Sequence, residues 1–295
     1  MSRAVVILTL SFVSYLFLLI PFSKYMASKP IVEKIGYVPT VAVVKTASAD
    51  QKELVGALLV MKVLMYFGGV VDTLQNELPI PPDYPAMSRM MHGVVQLDPY
   101  NMDAYYFAQS ILVWDVRKVE IANELLDYGM RYRSWDWYLP FFAGFNSAYF
   151  LKDYTKAARY YERAGELSGS DLFKNLAGRY LQESGKTDLA LVYLSAIEKG
   201  EKNPAIKKSF RTRILAFQAV RRIEIARDRY RQAVGGLPPT LESLVQEGYL
   251  QSSPVDPYGG RFYLEPDGSV ATTSKFAFAS SKSAGDKNKK AQGER

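Results

Sequence analysis

The hydrophobic pattern divides the chain into an apolar start, a long helical middle and a shorter C-terminal part. Residues 4–22 carry no charged side chain. At 1.5 Å per residue, a helix of this length spans about 30 Å, which is enough to cross a bilayer. We therefore predict a transmembrane anchor over residues 1–24. A cleaved secretory signal is the alternative, but the apolar run is long for one and no small-residue cleavage site follows it.

A second apolar segment lies at residues 54–71, where Lys62 is the one charged side chain. It fits either a helix buried between neighbours or a second membrane span, and the acidic residues at its edges favour the buried helix. Residues 25–49 are predicted to be a linker with a short strand over residues 41–44, which are β-branched or small. Asp50 and Glu53 form a possible capping box, so a helix should begin there.

From residue 84 onward, apolar residues recur at helical spacing and the pattern repeats. Ala122, Ala157 and Ala190 are 35 and 33 residues apart, and Tyr160 and Tyr193 share the second interval. Such a period is typical of arrays in which small residues let paired helices approach.

The segment 152–169 (KDYTKAARYYERAGELSG) resembles the second helix of tetratricopeptide (TPR) repeats. Residues 83–112 and 184–200 resemble further parts of the same repeat. The pattern departs from the family at Phe145 and Ile197, where it expects small residues. The resemblance implies a mainly α fold, a TPR-like α-solenoid over residues 50–204, whose concave groove binds a peptide or helix of a protein partner.

A long helix is predicted over residues 205–234, ended by two glycines and two prolines. A short helix over residues 241–247 follows, and then two strands, residues 261–264 and 269–273, across a Pro-Asp-Gly turn. Residues 237–276 resemble the C-terminal part of major pseudopilins of type II secretion. This resemblance implies a small α+β module, helix plus β-hairpin, within residues 205–278. Residues 279–295 lack apolar anchors and are predicted to be a disordered tail.

The positive charge of the chain is concentrated in one segment. The segment from residue 199 to 231 contains eleven basic and three acidic side chains, whereas the net charge of the whole chain is +7. The ordinary interpretation is a solvated helix face with some ion pairs. An acidic protein or anionic lipid is the alternative, and nucleic acid is not expected because no binding module accompanies the charge. The candidate basic face comprises Lys207, Lys208, Arg211, Arg221, Arg222 and Arg229.

The residue types in the sequence give little support for enzymatic activity. The chain has no cysteine and one histidine, His92, so thiol chemistry and multi-histidine metal sites are excluded. No phosphate-binding glycine loop or nucleophile elbow is present, and we predict no enzyme, cofactor or metal site. Asp256, Glu265 and Asp267 could bind calcium, but Asp-Pro and Asp-Gly are turn residues in their own right, which is the favoured interpretation.

Aromatic side chains cluster between residues 132 and 161. Most should fill the core between helices, and the remainder should be exposed, where Tyr and Trp supply binding energy. We predict that Tyr105, Trp135, Trp137 and Tyr149 contact a partner.

Taken together, these patterns predict a single-pass protein of a bacterial-type inner membrane. The short basic N-terminus favours a periplasmic body, although Lys24, Lys29 and Lys34 oppose that orientation. The expected role is a scaffold or adaptor in the assembly of a secretion or pilus-like system of the cell envelope. The alternative is a structural subunit of an envelope or filament complex that self-associates through the C-terminal module.

Overall fold

The protein is mainly helical, with a small antiparallel sheet, as the sequence predicted at this level. The computed structural model describes residues 11–12, 14–15, 17–19, 21–24, 35–36, 39–75 and 82–274. The chain folds into two compact units, Met1–Ile111 and Leu112–Arg295. The division falls inside residues 50–204, which the repeat pattern had joined in one domain.

Among the described residues after position 40, the first unit forms α1 (Val41–Ser48), α2 (Lys52–Gln75), α3 (Tyr84–Leu97) and α4 (Met102–Ser110). Side-chain caps start the last two, since Asp83 accepts a hydrogen bond from the Ala86 amide and Asn101 accepts one from the Ala104 amide. Helix α3 packs against α1, α2 and α4, and its buried face is rich in methionine and valine. The core of this unit therefore lies around α3.

The predicted strand over residues 41–44 is wrong, because these residues form the start of α1. Thr40 precedes the helix in an extended conformation, and Val41 lies against the backbone of Gly93, where an added Cβ would be 3.4 Å from its Cγ2. Packing on α3 thus overrides the β preference of the valines.

Helix α2 buries one side only. Val60, Val63 and Val70 are buried, whereas Leu58 is 60% exposed and Met65 is 71% exposed. The expectation of a helix buried between neighbours therefore holds for one side of α2 and not for the other. Within the described part of the chain, Lys52–Val70 is long and apolar enough to cross a membrane, a property that core helices of soluble proteins share.

The described residues of the predicted anchor, between 11 and 24, are helical and exposed. Phe17 is 80% exposed and Leu18 is 68% exposed. The predicted tail, residues 279–295, lies outside the described residues.

A π-helical turn, Ile111–Asp115, follows α4. The second unit continues with α5 (Val119–Tyr132), α6 (Tyr138–Tyr149), α7 (Tyr154–Ser168), α8 (Asp171–Glu183), α9 (Thr187–Gly200), α10 (Pro204–Val234) and α11 (Leu241–Gln246). From α5 to α11 each helix packs against the next in sequence, and α10 also contacts α8.

Small residues stand where these helices approach most closely. Ala157 and Ala190 are fully buried. A Cβ on Gly178 of α8 would lie 2.7 Å from Leu194 Cδ2 of α9, and one on Gly144 of α6 would lie 3.1 Å from the Tyr161 ring of α7. Gly144 thus makes the close approach that the repeat pattern had assigned to the neighbouring position, Phe145.

The long helix and the C-terminal module share a core with the preceding helix. Leu194 of α9, Phe217 of α10, Leu244 of α11 and Phe262 belong to one buried cluster. The predicted boundary at residue 204 therefore does not separate two cores.

The end of the long helix and the turn between the two strands lie where the sequence predicted them. Asn203 caps α10, and Gly235 ends it in the left-handed conformation. Thr240 and Ser243 form a capping box at α11. Strand β1 (Phe262–Leu264) pairs antiparallel with β2 (Val270–Thr272), with Tyr263 opposite Ala271.

Candidate partner-binding site

Helix α6 carries aromatic side chains along one side and its buried residues along the other. The buried side includes Leu139, Ala143 and Asn146. Residues four, three and four positions apart lie on one side of a helix. Four aromatic residues with that spacing form what we call the aromatic face: Tyr138, Phe142, Phe145 and Tyr149.

The rings of the aromatic face stack in two pairs. Phe145 and Tyr149 have ring centroids 5.4 Å apart and planes at 8°, and Tyr138 and Phe142 have centroids 6.4 Å apart and planes at 29°. Tyr149 is 55% exposed and Tyr138 is 41% exposed. Stacked rings are stiff, so they offer apolar area to a partner with little loss of side-chain entropy.

Further aromatic rings and two cations surround the C-terminal end of this face. Trp114 is half exposed and lies 5.1 Å from the Phe150 ring and 6.4 Å from the Phe145 ring. Lys152 Nζ lies 5.3 Å from the centre of the Tyr149 ring, and the Arg117 guanidinium lies 5.7 Å from that of Phe150.

Both cationic residues have a backbone conformation that is uncommon for a residue with a side chain. Arg117 has a φ of 58° and Lys152 a φ of 55°. Such left-handed residues cost free energy and are concentrated at functional sites. Their shared position beside the aromatic face is consistent with a binding role for it.

Asp136 organises the N-terminal end of the face. Its carboxylate is buried, forms an ion pair with Arg133 at 2.8 Å and accepts a hydrogen bond from the Tyr138 amide. The Arg133 guanidinium also lies 5.7 Å from the centre of the Trp135 ring, and Trp135 is 60% exposed. The start of α6 and the orientation of Trp135 therefore depend on the same ion pair.

The four predicted contact residues have different environments. Trp135 and Tyr149 are exposed as expected, whereas Trp137 is half-buried against Phe141 and Phe173. The expectation for Tyr105 is wrong, because its side chain is fully buried and its hydroxyl donates to the Pro99 carbonyl.

Sequence reasoning missed four residues of this region: Tyr138, Phe142, Phe145 and Trp114. The spacing of the first three with Tyr149 was a readable signal, since it places them on one side of a helix.

The residues of the predicted basic face differ in whether they form ion pairs. Arg211 pairs with Glu198 at 2.9 Å, and Arg221 pairs with Asp188 at 2.7 Å. In the part of the chain that the structure describes, the other four have no ion pair: Lys207, Lys208, Arg222 and Arg229.

The candidate titratable groups do not converge. His92 Nδ1 lies 2.8 Å from the Ser88 carbonyl oxygen and must donate to it. Asp256 is buried and accepts hydrogen bonds from Thr272, Ser274 and the Tyr258 amide. Among the described residues, no group of three or more acidic, histidine or cysteine residues could hold a metal ion.

Comparison with protein-family models gives no match, and comparison with curated proteins gives none either.

Proposed function

We propose that this protein is a membrane-anchored scaffold of TPR-like helical repeats that binds other proteins through the aromatic face of α6. The observation that carries the proposal is a run of stacked aromatic side chains on one side of α6, exposed at Tyr138 and Tyr149 and half-buried at Phe142 and Phe145, opposite a buried side. Exposed contiguous aromatic surface is typical of protein-binding sites.

The expected occupant is a peptide or helix of a partner protein, bound in the groove of the repeats. Aromatic rings would provide the apolar contact, and Arg117 and Lys152 would favour an occupant with carboxylates nearby. The helical N-terminal segment would hold this binding at a bacterial-type inner membrane, with the body in the periplasm. Assembly of a secretion or pilus-like system is the setting that the pseudopilin resemblance suggests.

Photocrosslinking in cells tests the proposal. A photoreactive phenylalanine analogue replaces Tyr149 in one variant and Val192 in another. Val192 is 67% exposed on α9, away from the aromatic face, and is the matched control. We expect a discrete crosslinked product with a second protein from position 149 and none from position 192.

Two results would contradict the proposal. Absence of any crosslinked product from position 149 would show that the aromatic face does not bind a partner protein. A product formed only between copies of this chain would favour the structural-subunit alternative instead.

A further inference from the structure

Helix α10 presents a second continuous exposed side. Leu215 is 52% exposed and Ile225 is 37% exposed, although branched apolar side chains are usually buried. Exposed residues recur along the helix at intervals of seven, three, four, three and four, which places them on one side. Arg211 has the same spacing, between Lys208 and Leu215, but is paired with Glu198. We call the other exposed residues of this side the Arg222 stripe: Lys208, Leu215, Gln218, Arg222, Ile225 and Arg229.

The positive charge of the stripe is not compensated. In the described part of the chain, Lys208, Arg222 and Arg229 have no ion pair, and the stripe contains no carboxylate. Neighbouring arginines of the same helix differ, since Arg221 pairs with Asp188 and Arg227 pairs with Asp228. Among the described residues, the fold therefore neutralises Arg211, Arg221 and Arg227 and leaves Lys208, Arg222 and Arg229 without an ion pair.

The C-terminal end of the stripe is concave. Arg222, Ile225 and Arg229 line one wall of an open cavity of about 250 Å³, and Tyr249, Leu250 and Pro254 line the other. A ligand at this end would contact apolar atoms on both sides while its charged groups reach the two guanidinium groups.

We propose that the Arg222 stripe binds an acidic amphipathic helix of a partner protein. Arg222 and Arg229 are seven residues apart, which is about 10.5 Å along a helix axis. Carboxylates seven residues apart on a partner helix repeat at the same distance, and apolar residues between them would contact Leu215 and Ile225. An extended strand would instead repeat its same-side residues about every 6.8 Å. The stripe lies on a different helix from the aromatic face, and the inference does not depend on the function proposed for that face.

The test uses the full chain in neutral detergent micelles and a labelled synthetic helical peptide. The peptide carries glutamate at every seventh position and leucine on the same side between the glutamates, and binding is followed by fluorescence anisotropy. The test variant is Arg222→Glu/Arg229→Glu. The control, Lys202→Glu/Arg231→Glu, has the same change of charge at exposed positions, and Arg231 lies two and a half turns from Arg222, on the opposite side of α10.

We expect the test variant to bind about tenfold more weakly than wild type, because two surface attractions become repulsions. The control should bind like wild type, and affinity should fall as salt is raised. A peptide with lysine in place of glutamate should bind the test variant better than it binds wild type, which shows that the variant has kept its fold.

Three outcomes would overturn the proposal. One is no measurable binding of the glutamate peptide by wild type. Another is an equal loss in test and control variants, which would show a general effect of net charge. The third is binding to phosphatidylglycerol vesicles through Arg222 and Arg229 without binding of the peptide, which would assign the stripe to a lipid surface.

Discussion

The hydroxyl of Tyr160 donates to both carboxylate oxygens of Asp127, at 2.9 and 3.0 Å. Tyr160 lies on α7 and Asp127 on α5, so this contact joins two helices that are separated in sequence by α6. It therefore fixes the two helices on either side of the one that carries the aromatic face.

Removal of this hydrogen bond should destabilise the protein. We expect Tyr160→Phe to lower the free energy of unfolding by about 1–2 kcal/mol, because the acceptor is charged and half-buried. Tyr154→Phe is the control, since Tyr154 stacks on Tyr180 and its hydroxyl has no hydrogen bond within the described residues. Urea unfolding measures both variants, and equal losses would show that the Asp127 contact is unimportant.

Alkaline pH should destabilise the second unit. Burial raises the pKa of Tyr160, where the Asp127 charge adds to the effect, and burial also raises that of Tyr161. Burial and Tyr132 raise the pKa of Tyr128 to about 12. An unfolded tyrosine titrates near pH 10. A raised folded pKa gives stability that is fully present below pH 10 and is lost as pH rises through the folded pKa.

The free energy of unfolding should thus be flat just below pH 10 and fall above it. Tyrosinate absorbance should show a group of tyrosines that ionise together with unfolding. Ionisation of all tyrosines near pH 10 in the folded protein would contradict this prediction.

The approach of α8 to α9 should depend on Gly178. A methyl group there would overlap Leu194, so we expect Gly178→Ala to destabilise by about 1–3 kcal/mol. Gly200→Ala is the control, because no atom lies within 4 Å of its added Cβ. If the overlap is the cause, Gly178→Ala should cost less in a Leu194→Ala background, and unfolding of the four proteins in a double-mutant cycle measures that coupling. Additive losses of unfolding free energy in the double variant would contradict the predicted coupling between Gly178 and Leu194.

The position of α2 relative to the bilayer can be measured directly, because the chain has no cysteine. Single cysteines replace Met65 of α2, Val192 of α9 and Phe17 of the N-terminal helical segment. We expect a membrane-impermeant maleimide, applied to opened membranes, to label positions 65 and 192 equally and to spare position 17. Protection of position 65 at the level of position 17 would show that α2 lies in the bilayer.

Local signals in the sequence predicted much of the fold. The glycine end of α10, the position of α11 and the turn between β1 and β2 depend on neighbouring residues, and the structure confirms them. The strand predicted over residues 41–44 failed because packing of Val41 on Gly93 decides that segment. Propensity describes a single residue, whereas this contact joins residues far apart in the chain.

The candidate sites were harder to predict for the same reason. Tyr105 and Tyr149 are both tyrosines on helices, and which of them is buried depends on the helices that cover them. Among the described residues, the basic side chains likewise divide into those with and those without an ion pair through partners distant in sequence, as in Arg221 with Asp188. The grouping of the aromatic face on one side of a helix could be predicted from its spacing. Its exposure could not, because that depends on the packing of other helices.

The most direct test of the account is the affinity of a purified partner identified by crosslinking from position 149. We expect Tyr138→Ala/Tyr149→Ala to weaken its binding by roughly ten- to a hundredfold, since exposed aromatic anchors carry much of such binding energy. Leu189→Ala/Val192→Ala on α9, exposed and away from the aromatic face, should leave affinity unchanged. Unchanged affinity in the tyrosine variant would contradict the claim that the aromatic face of α6 binds protein partners.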